Sequence, residues 1–538
     1  MPLLFLESMN DDPVSKQKGI TAPLARTTAA TGSTTQLSKV ATNGSGRPGL
    51  EHTATGSSMS SLNTPVTNDP DSKIIYPFRI KHLGHEVYTL YASTPKDRED
   101  WCRNIIEAKT AHANALHDQN AEPFRLRVLS DGAFAYDSVT AQGRQLGVSI
   151  SGTPLHRAIR EMELIYGPGR GPPPVCRAQV NCATAFSAYG KSLIAIGTDY
   201  GVYISEASNP RGWTRSVQVN KVTQIAVLEE FSVCLIIADR SLIAYPLDVV
   251  APVSNFPAPS HDNPRRAPQR LAKDVAFFAT ARMKDRMLLF YKRKEGMHNT
   301  FKVLEPVFQK ATERRTRLFG GGRRGGGAGG TESFRDYDEF YLPTECYSLN
   351  LFQTYIAVAS AKGFELLTLD KKIPQSIPRD LGVPAISNIA SRIRDQRPLG
   401  MFKLNDQEFL LTYEDCAVYV DKHGEISRTL IMEYSGKQKK AKGATMFGAY
   451  LLLFNEDYVE VRNAENGRLR QIIAGRDVRC LDYGFRGPTG IGGLQQPTGA
   501  DSKGTVKICM SHPEVAGGQI VLEMLLNDGH REELGKIG

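Results

Sequence analysis

From about Ser192 onward the chain repeats one plan, in which an apolar run is followed by a short polar turn and a second apolar run. SLIAIGTDYGVYIS (Ser192 to Ser205) turns at Thr198 to Gly201, and VCLIIADRSLIAYPL (Val233 to Leu247) turns at Asp239 to Ser241. MLLFYKRKEGMHNTFKVLEPV (Met287 to Val307) turns near Gly296. YIAVASAKGFELLTL (Tyr355 to Leu369), FLLTYEDCAVYVD (Phe409 to Asp421) and YLLLFNEDYVEVR (Tyr450 to Arg462) follow the same plan, and TVKICMSHPEVAGGQIVLEML (Thr505 to Leu525) adds a further candidate. β-Branched and aromatic residues around turn formers predict hairpins. The first six start about 40 to 70 residues apart, which brackets the period of a four-stranded blade with insertions. Weaker runs precede several hairpins, such as KVTQIAVLEE (Lys221 to Glu230) and LGMFKLN (Leu399 to Asn405). The pattern predicts an all-β chain built as a β-propeller; a sandwich needs fewer regularly spaced pairs.

The N-terminal part reads differently. PLLFLES (Pro2 to Ser8) is a plausible strand, while IIYPFRI (Ile74 to Ile80) and EVYTLYA (Glu86 to Ala92) form a hairpin followed by a helix. Thr94 supplies the N-cap, Pro95 the first helical position and Asp97 the capping-box acid,. Trp101, Ile105, Ala108 and His112 recur at helical spacing, so Trp101 and Ile105 are expected on the covered face, in structural roles. Between the strand and the hairpin, residues 19–71 are rich in Thr, Ser, Ala, Gly and Asn and read as a disordered insertion,. After the helix, FRLRVLSDGAFAYDS (Phe124 to Ser138) predicts a hairpin around Asp131 and Gly132, and GPGRGPPP (Gly167 to Pro174) stops regular structure,.

Composition narrows the chemistry. The 538 residues exceed one ordinary core,. A formal charge of +9, from 66 Lys and Arg against 57 Asp and Glu, is spread along the chain and favours acidic partners only weakly,. Eight scattered cysteines show no zinc-ligand spacing and read as buried reduced thiols,. With no basic segment before PLLFL and no apolar run of membrane length, the sequence points to a cytosolic setting,. No GxGxxG opening a helix and no GxSxG elbow occurs, and His156, His423 and His512 stand apart from any nucleophile in sequence,. The acid pairs Glu229-Glu230 and Glu414-Asp415 fall at turns, where surface roles are the rule,. RRTRLFGGGRRGGGAGG (Arg314 to Gly330) lacks the Lys-Ser/Thr of a phosphate loop and the aromatic platforms of an RNA tail, so residues 311–333 read as a flexible interblade loop,. GKQKKAKG (Gly436 to Gly443) places Lys437, Lys439, Lys440 and Lys442 in a polar loop: a solvated turn, or a patch for an acidic protein surface or anionic lipid,.

Four blocks carry a family resemblance: KSLIAIGTDYGVYIS (Lys191 to Ser205), KVTQIAVLEEFSVCLIIADRSLIAYPLD (Lys221 to Asp248), LPTECYSLNLFQTYIAVASAKGFELLTLD (Leu342 to Asp370) and RPLGMFKLNDQEFLLTYEDCAVYVDKHG (Arg397 to Gly424). Together they resemble the citron-homology (CNH) domain, most closely that of fungal Rho guanine-nucleotide exchange factors. The resemblance implies a seven-bladed propeller over 175–530, matching the hairpin count, with the C-terminal part of a pleckstrin-homology domain over 1–18 and 72–117 and a connecting segment over 118–174 that packs on the propeller. It further implies a fragment or shortened product lacking the catalytic Dbl-homology bundle, hence no enzyme, no cofactor, no metal and no nucleic-acid partner. The implied role is a scaffold that binds a Rho-type small GTPase, and other cell-wall signalling proteins, in cell-wall integrity and polarised growth, cytoplasmic and recruited to the inner plasma-membrane surface. The alternative implied role is a membrane-targeting or autoregulatory module controlling the exchange domain of the parent protein.

Overall fold

Each apolar pair in the sequence becomes the second and third strands of a four-stranded antiparallel sheet, and seven such sheets occur among the described residues. The computed structural model describes residues 4–16, 26–27, 73–83, 86–141, 148–168, 174–252, 267–295, 298–308, 333–436, 438–484 and 503–530. Almost all of the predicted insertion at 19–71 and of the Gly/Arg-rich loop at 311–333, together with Gly296, lies outside them.

The first sheet shows the plan: Val180–Ala188, Lys191–Thr198, Gly201–Glu206 and Thr214–Val217, in that order across the sheet. The other six begin with Val222–Leu228, Val275–Met283, Cys346–Leu351, Pro398–Lys403, Gly443–Phe447 and Arg479–Asp482. The predicted turns fall where expected, with Thr198 opposite Gly201, Ala238 opposite Ser241 and Ser360 opposite Gly363. Second strands are covered on both faces by neighbouring sheets, which is why their sequences are continuously apolar rather than alternating. Val233–Ala238, Ile356–Ser360 and Tyr450–Phe454 are buried at every position. The core is accordingly a set of clusters shared between adjacent sheets; one packs Phe186 and Ala195 of the first against Ile225 and Ile236 of the second.

Polar side chains stitch each junction. Asn181 Nδ2 donates to Val222 O at 3.0 Å, and the Gln224 amide bonds both Phe278 N (3.0 Å) and Phe278 O (2.7 Å). Lys292 Nζ donates to Cys346 O at 2.7 Å, Met401 N to Asn350 Oδ1 at 3.1 Å, Tyr419 OH to Ala464 O at 2.9 Å and Thr445 Oγ1 to Tyr483 O at 2.8 Å. Arg479 donates to Val180 O, joining the seventh sheet to the first. Each bond satisfies a backbone group at the seam between sheets, where no ladder partner exists.

The seventh sheet corrects the sequence reading. Phe124–Ala135 is not a hairpin but one strand, and it forms the fourth strand of that sheet beside Gly518–Leu526. Asp131 and Gly132 are absorbed by an irregularity in register, which passes from Val521 opposite Ser130 to Gln519 opposite Phe134. A bulge spends extra residues without reversing the chain. Buried Asp131 is ion-paired with Arg211 at 3.2 Å, a partner the local sequence does not reveal. The segment predicted as a connector over 118–174 therefore contributes a strand to the ring; its helix Pro154–Tyr166, capped by Thr153, buries Ala158, Ile159 and Met162.

The smaller of two compact units covers Phe5–His82 and Glu86–Ile105. We number its strands β1 (Leu4–Ser8), β2 (Val14–Lys16), β3 (Arg26–Thr27), β4 (Lys73–His82) and β5 (Val87–Ala92); they pair in the order β1-β4-β5-β3, with β2 also on β4. Helix α1 (Pro95–Asp118) follows, and Thr94 Oγ1 accepts from Asp97 N at 3.0 Å, the cap expected from sequence. Its covered face differs from the expected one: Cys102, Lys109 and Ala113 are buried and Ile105 half-buried, whereas Trp101 is 59% exposed. The true stripe is shifted by one position, because Cys102 and the stem of Lys109 are as buriable as the larger Trp101 is conspicuous.

Gln519 is the critical stitch of the closure. Its amide accepts from Val180 N at 3.0 Å and donates to Ala178 O at 2.8 Å, and all three residues are buried. Gln519→Ala strands two backbone groups in the interior and should lower stability by about 2–4 kcal/mol. Chemical denaturation of the intact chain checks this; a loss below about 0.5 kcal/mol would contradict the closure account.

Candidate interaction surface

In the first six four-stranded sheets the strands run antiparallel in sequence order, and the seventh keeps that order for its first three strands. The turn between second and third strands and the connection from one sheet to the next therefore share one end of the ring. That end carries the turn at Asp199 and Tyr200, the connection Asn220–Lys221 and the lysine loop that follows Met432–Glu433.

The lysine loop is pinned and neutralised. Lys437 lies outside the described residues. Lys439 Nζ meets Asp457 Oδ2 at 3.0 Å, Lys440 Nζ meets Glu414 Oε2 at 3.0 Å and Lys442 Nζ meets Glu456 Oε2 at 3.4 Å. Ala441 is buried, its N donates to Glu414 O at 2.7 Å, and Lys442 N donates to Phe454 O at 2.8 Å. Each of these three ammonium groups thus faces a carboxylate from the second-to-third-strand turn of the fifth or sixth sheet. An acidic partner would have to compete with charges already in place.

A groove of about 780 Å³ opens at the same end between the first and second sheets, lined by Asn181, Asp199, Tyr200, Asn220, Lys221 and Thr223. Its walls are fixed by short bonds. Asn181 Nδ2 donates to Asp199 Oδ1 at 2.9 Å, Lys221 N to Asp199 O at 3.0 Å, Asp239 N to Asn220 O at 3.1 Å and Tyr200 N to Thr198 Oγ1 at 3.1 Å. Gly201 has φ 138°, and a Cβ there would stand 2.4 Å from Val217 O, so the turn demands glycine. Lys221 itself is held at φ 49°, a left-handed backbone costly for a lysine,. Tyr200 is 51% exposed. The sequence reading passed over these residues, although a tyrosine at the tip of a tight TDYG turn has nowhere to go but outward.

Chemistry of other kinds finds little footing. Among the described residues no three His, Cys, Asp or Glu side chains group as metal ligands. His156 Nδ1 accepts from Gly152 N at 3.4 Å and buried His512 Nδ1 from Glu514 N at 3.1 Å, so both rings hold turns. Exposed His423 stands in a turn whose backbone N donates to Asp421 Oδ1 at 2.8 Å. The paired acids are in ion pairs: Glu229 with Lys503, Glu230 with Arg282, Glu414 with Lys440 and Asp415 with Arg392. All eight cysteines are free, and only Cys480 is less than fully buried. Burial pushes the Cys234, Cys346 and Cys416 thiols up to about 12 and Cys509 to about 11, and raises Cys182 too.

These thiols predict two solution properties. At pH 8 a thiol-specific reagent should label the native chain quickly at Cys480 alone and all eight thiols in denaturant; rapid native labelling of several would contradict the burial,. Because the folded state holds Cys234, Cys346, Cys416 and Cys509 protonated above the ordinary thiol value of 9.0, their contribution is complete below pH 9 and is lost as pH rises toward 12,. Denaturation midpoints measured across that range should fall steadily.

Comparison with known proteins places these features. The family model described as the CNH domain matches residues 190–484. The chain is 28% identical over 468 residues to Rho1 guanine nucleotide exchange factor 3 of Schizosaccharomyces pombe, covering 80% of this chain and 34% of that protein. It is 25% identical over 444 residues to Rho1 guanine nucleotide exchange factor 1 of the same yeast, covering 81% and 28%. The chain thus spans about a third or less of these curated relatives. Among solved structures, the AfRom2 CNH domain matches with a TM-score of 0.50 and 21% identity, over 65% of this chain and 96% of that one, a likeness of fold.

Proposed function

We propose, from the premise that this chain belongs to the CNH-domain family, that it is a non-catalytic interaction module of a Rho guanine-nucleotide exchange factor and binds a Rho-type small GTPase. The observation that carries the reading is the stiff end of the ring. Its turns and connections are tied by backbone bonds, such as Lys221 N to Asp199 O and Ala441 N to Glu414 O, and a preorganised surface loses little entropy on binding. Similarity to exchange factors named for Rho1 supports the choice of partner.

On this reading the module works in the cytoplasm at the inner face of the plasma membrane, where cell-wall integrity and polarised growth are controlled. The five strands of the smaller unit and α1 are then the closing part of a pleckstrin-homology domain, with β5 running directly into the helix through Ser93 and Thr94.

Calorimetry of the intact chain with a fungal Rho-type GTPase, loaded with GDP, with a GTP analogue or with no nucleotide, tests the proposal. Saturable one-to-one binding is expected in at least one state. Absence of binding in all three overturns it. The paired lysines carry a second expectation: Lys440→Gln should leave any affinity within twofold, since Glu414 already occupies its ammonium,.

A further inference from the structure

We infer that the groove between the first and second sheets is where that GTPase docks, and that it takes an exposed main-chain loop of the partner rather than an acidic patch; this rests on the GTPase-binding reading above. The argument begins with side chains that have nothing to do. Among the described residues, the Tyr200 hydroxyl, the Asn220 amide, the Lys221 ammonium and the Thr223 hydroxyl make no hydrogen bond or ion pair, and Tyr200, Asn220, Lys221 and Thr223 are all exposed. Several other cations on the same end are already paired: Lys439, Lys440 and Lys442 meet carboxylates, and Arg240 meets Asp274 at 3.6 Å.

The groove's charges choose the occupant. Asp199 and Lys221 share it, yet no ion pair joins their side chains, and Asp199 is steadied from the other side by Asn181. A carboxylate and an ammonium held apart in one cleft present an acceptor and a donor, and the Asn220 amide supplies one of each. The complement of such a surface is a peptide unit, with its N–H toward Asp199 and its C=O toward Lys221 and Asn220. An acidic side chain would satisfy Lys221 but lie against Asp199 and lose much of what it gained. The Tyr200 ring then offers a flat apolar platform for the loop's own side chain, the type of residue that anchors protein interfaces at small entropic cost. Because the walls are set by Lys221 N to Asp199 O and Asp239 N to Asn220 O, the groove requires no rearrangement to receive it.

The experiment compares the intact chain with Tyr200→Ala/Lys221→Ala, and separately with Asn220→Ala/Thr223→Val, by calorimetry against the GTPase state that binds the parent chain. Unchanged thermal midpoints establish that each variant is folded, as expected for exposed positions. The expected result is at least tenfold weaker binding by the first variant and a measurable loss by the second, with affinity nearly constant between low and physiological salt, since neutral main chain is recognised. If the parent chain binds and both variants match it within twofold, the groove assignment falls while the GTPase reading stands. If the parent chain binds none of the nucleotide states, the reading falls and the groove assignment with it.

Discussion

A ring of sheets is held by its seam, and here the seam is the pairing of Phe124–Ala135 with Gly518–Leu526. Every other four-stranded sheet is made of four consecutive strands, but the seventh takes its last from the segment that precedes the first of them. Without it, Gly518–Leu526 would be a long, nearly all-buried strand presenting a bare edge to solvent,. The contact bridges about four hundred residues (Arg125 with Leu526), which raises the entropic cost of closing the loop only logarithmically. The polar cluster at the seam converts that cost into specificity: Arg479 bonds Tyr136 at 3.0 Å and Gln519 at 2.9 Å as well as Val180, so β-strand pairing, sheet order and side-chain geometry must all agree before the half-buried guanidinium meets these three partners,.

The fold was largely legible because its signal is repeated and local. Seven apolar pairs with turn residues between them specify hairpins, and the continuous runs reveal strands covered on both faces. The closing strand was misread for a physical reason. Asp131-Gly132 is turn chemistry locally, and only a remote ion pair with Arg211 makes a buried aspartate in mid-strand tolerable. Trp101 failed in a similar way. Helical spacing identified a stripe, but periodicity fixes a face only to within about one residue in a helix of 3.6 residues per turn, and the buried choice fell on Cys102.

The candidate surface was less legible, and the lysine loop shows why. Four lysines in six residues look like unspent charge. Their carboxylate partners, Glu414, Glu456 and Asp457, sit in turns that the fold brings alongside. Sequence shows a charge run; only topology shows what neutralises it. The groove reverses this logic. Asn181, Tyr200 and Lys221 are unremarkable where they stand in the chain, and they become a site because one end of the ring collects the hairpin turn of the first sheet and the connection into the second.

That collection has a consequence for how such a fold evolves contacts without announcing them. The bonds that hold the groove, from Asn181 to Asp199 and from Lys221 to Asp199, sit at the junction of the first two sheets, where Asn181 also donates to Val222 O. Stability and presentation are therefore supplied by one set of junction bonds, and the side chains pointing outward from them, such as Tyr200 and Lys221, are free to be chosen for a partner. A binding surface built this way carries no motif, because the residues that position it are structural and the residues that recognise are single choices at turn tips.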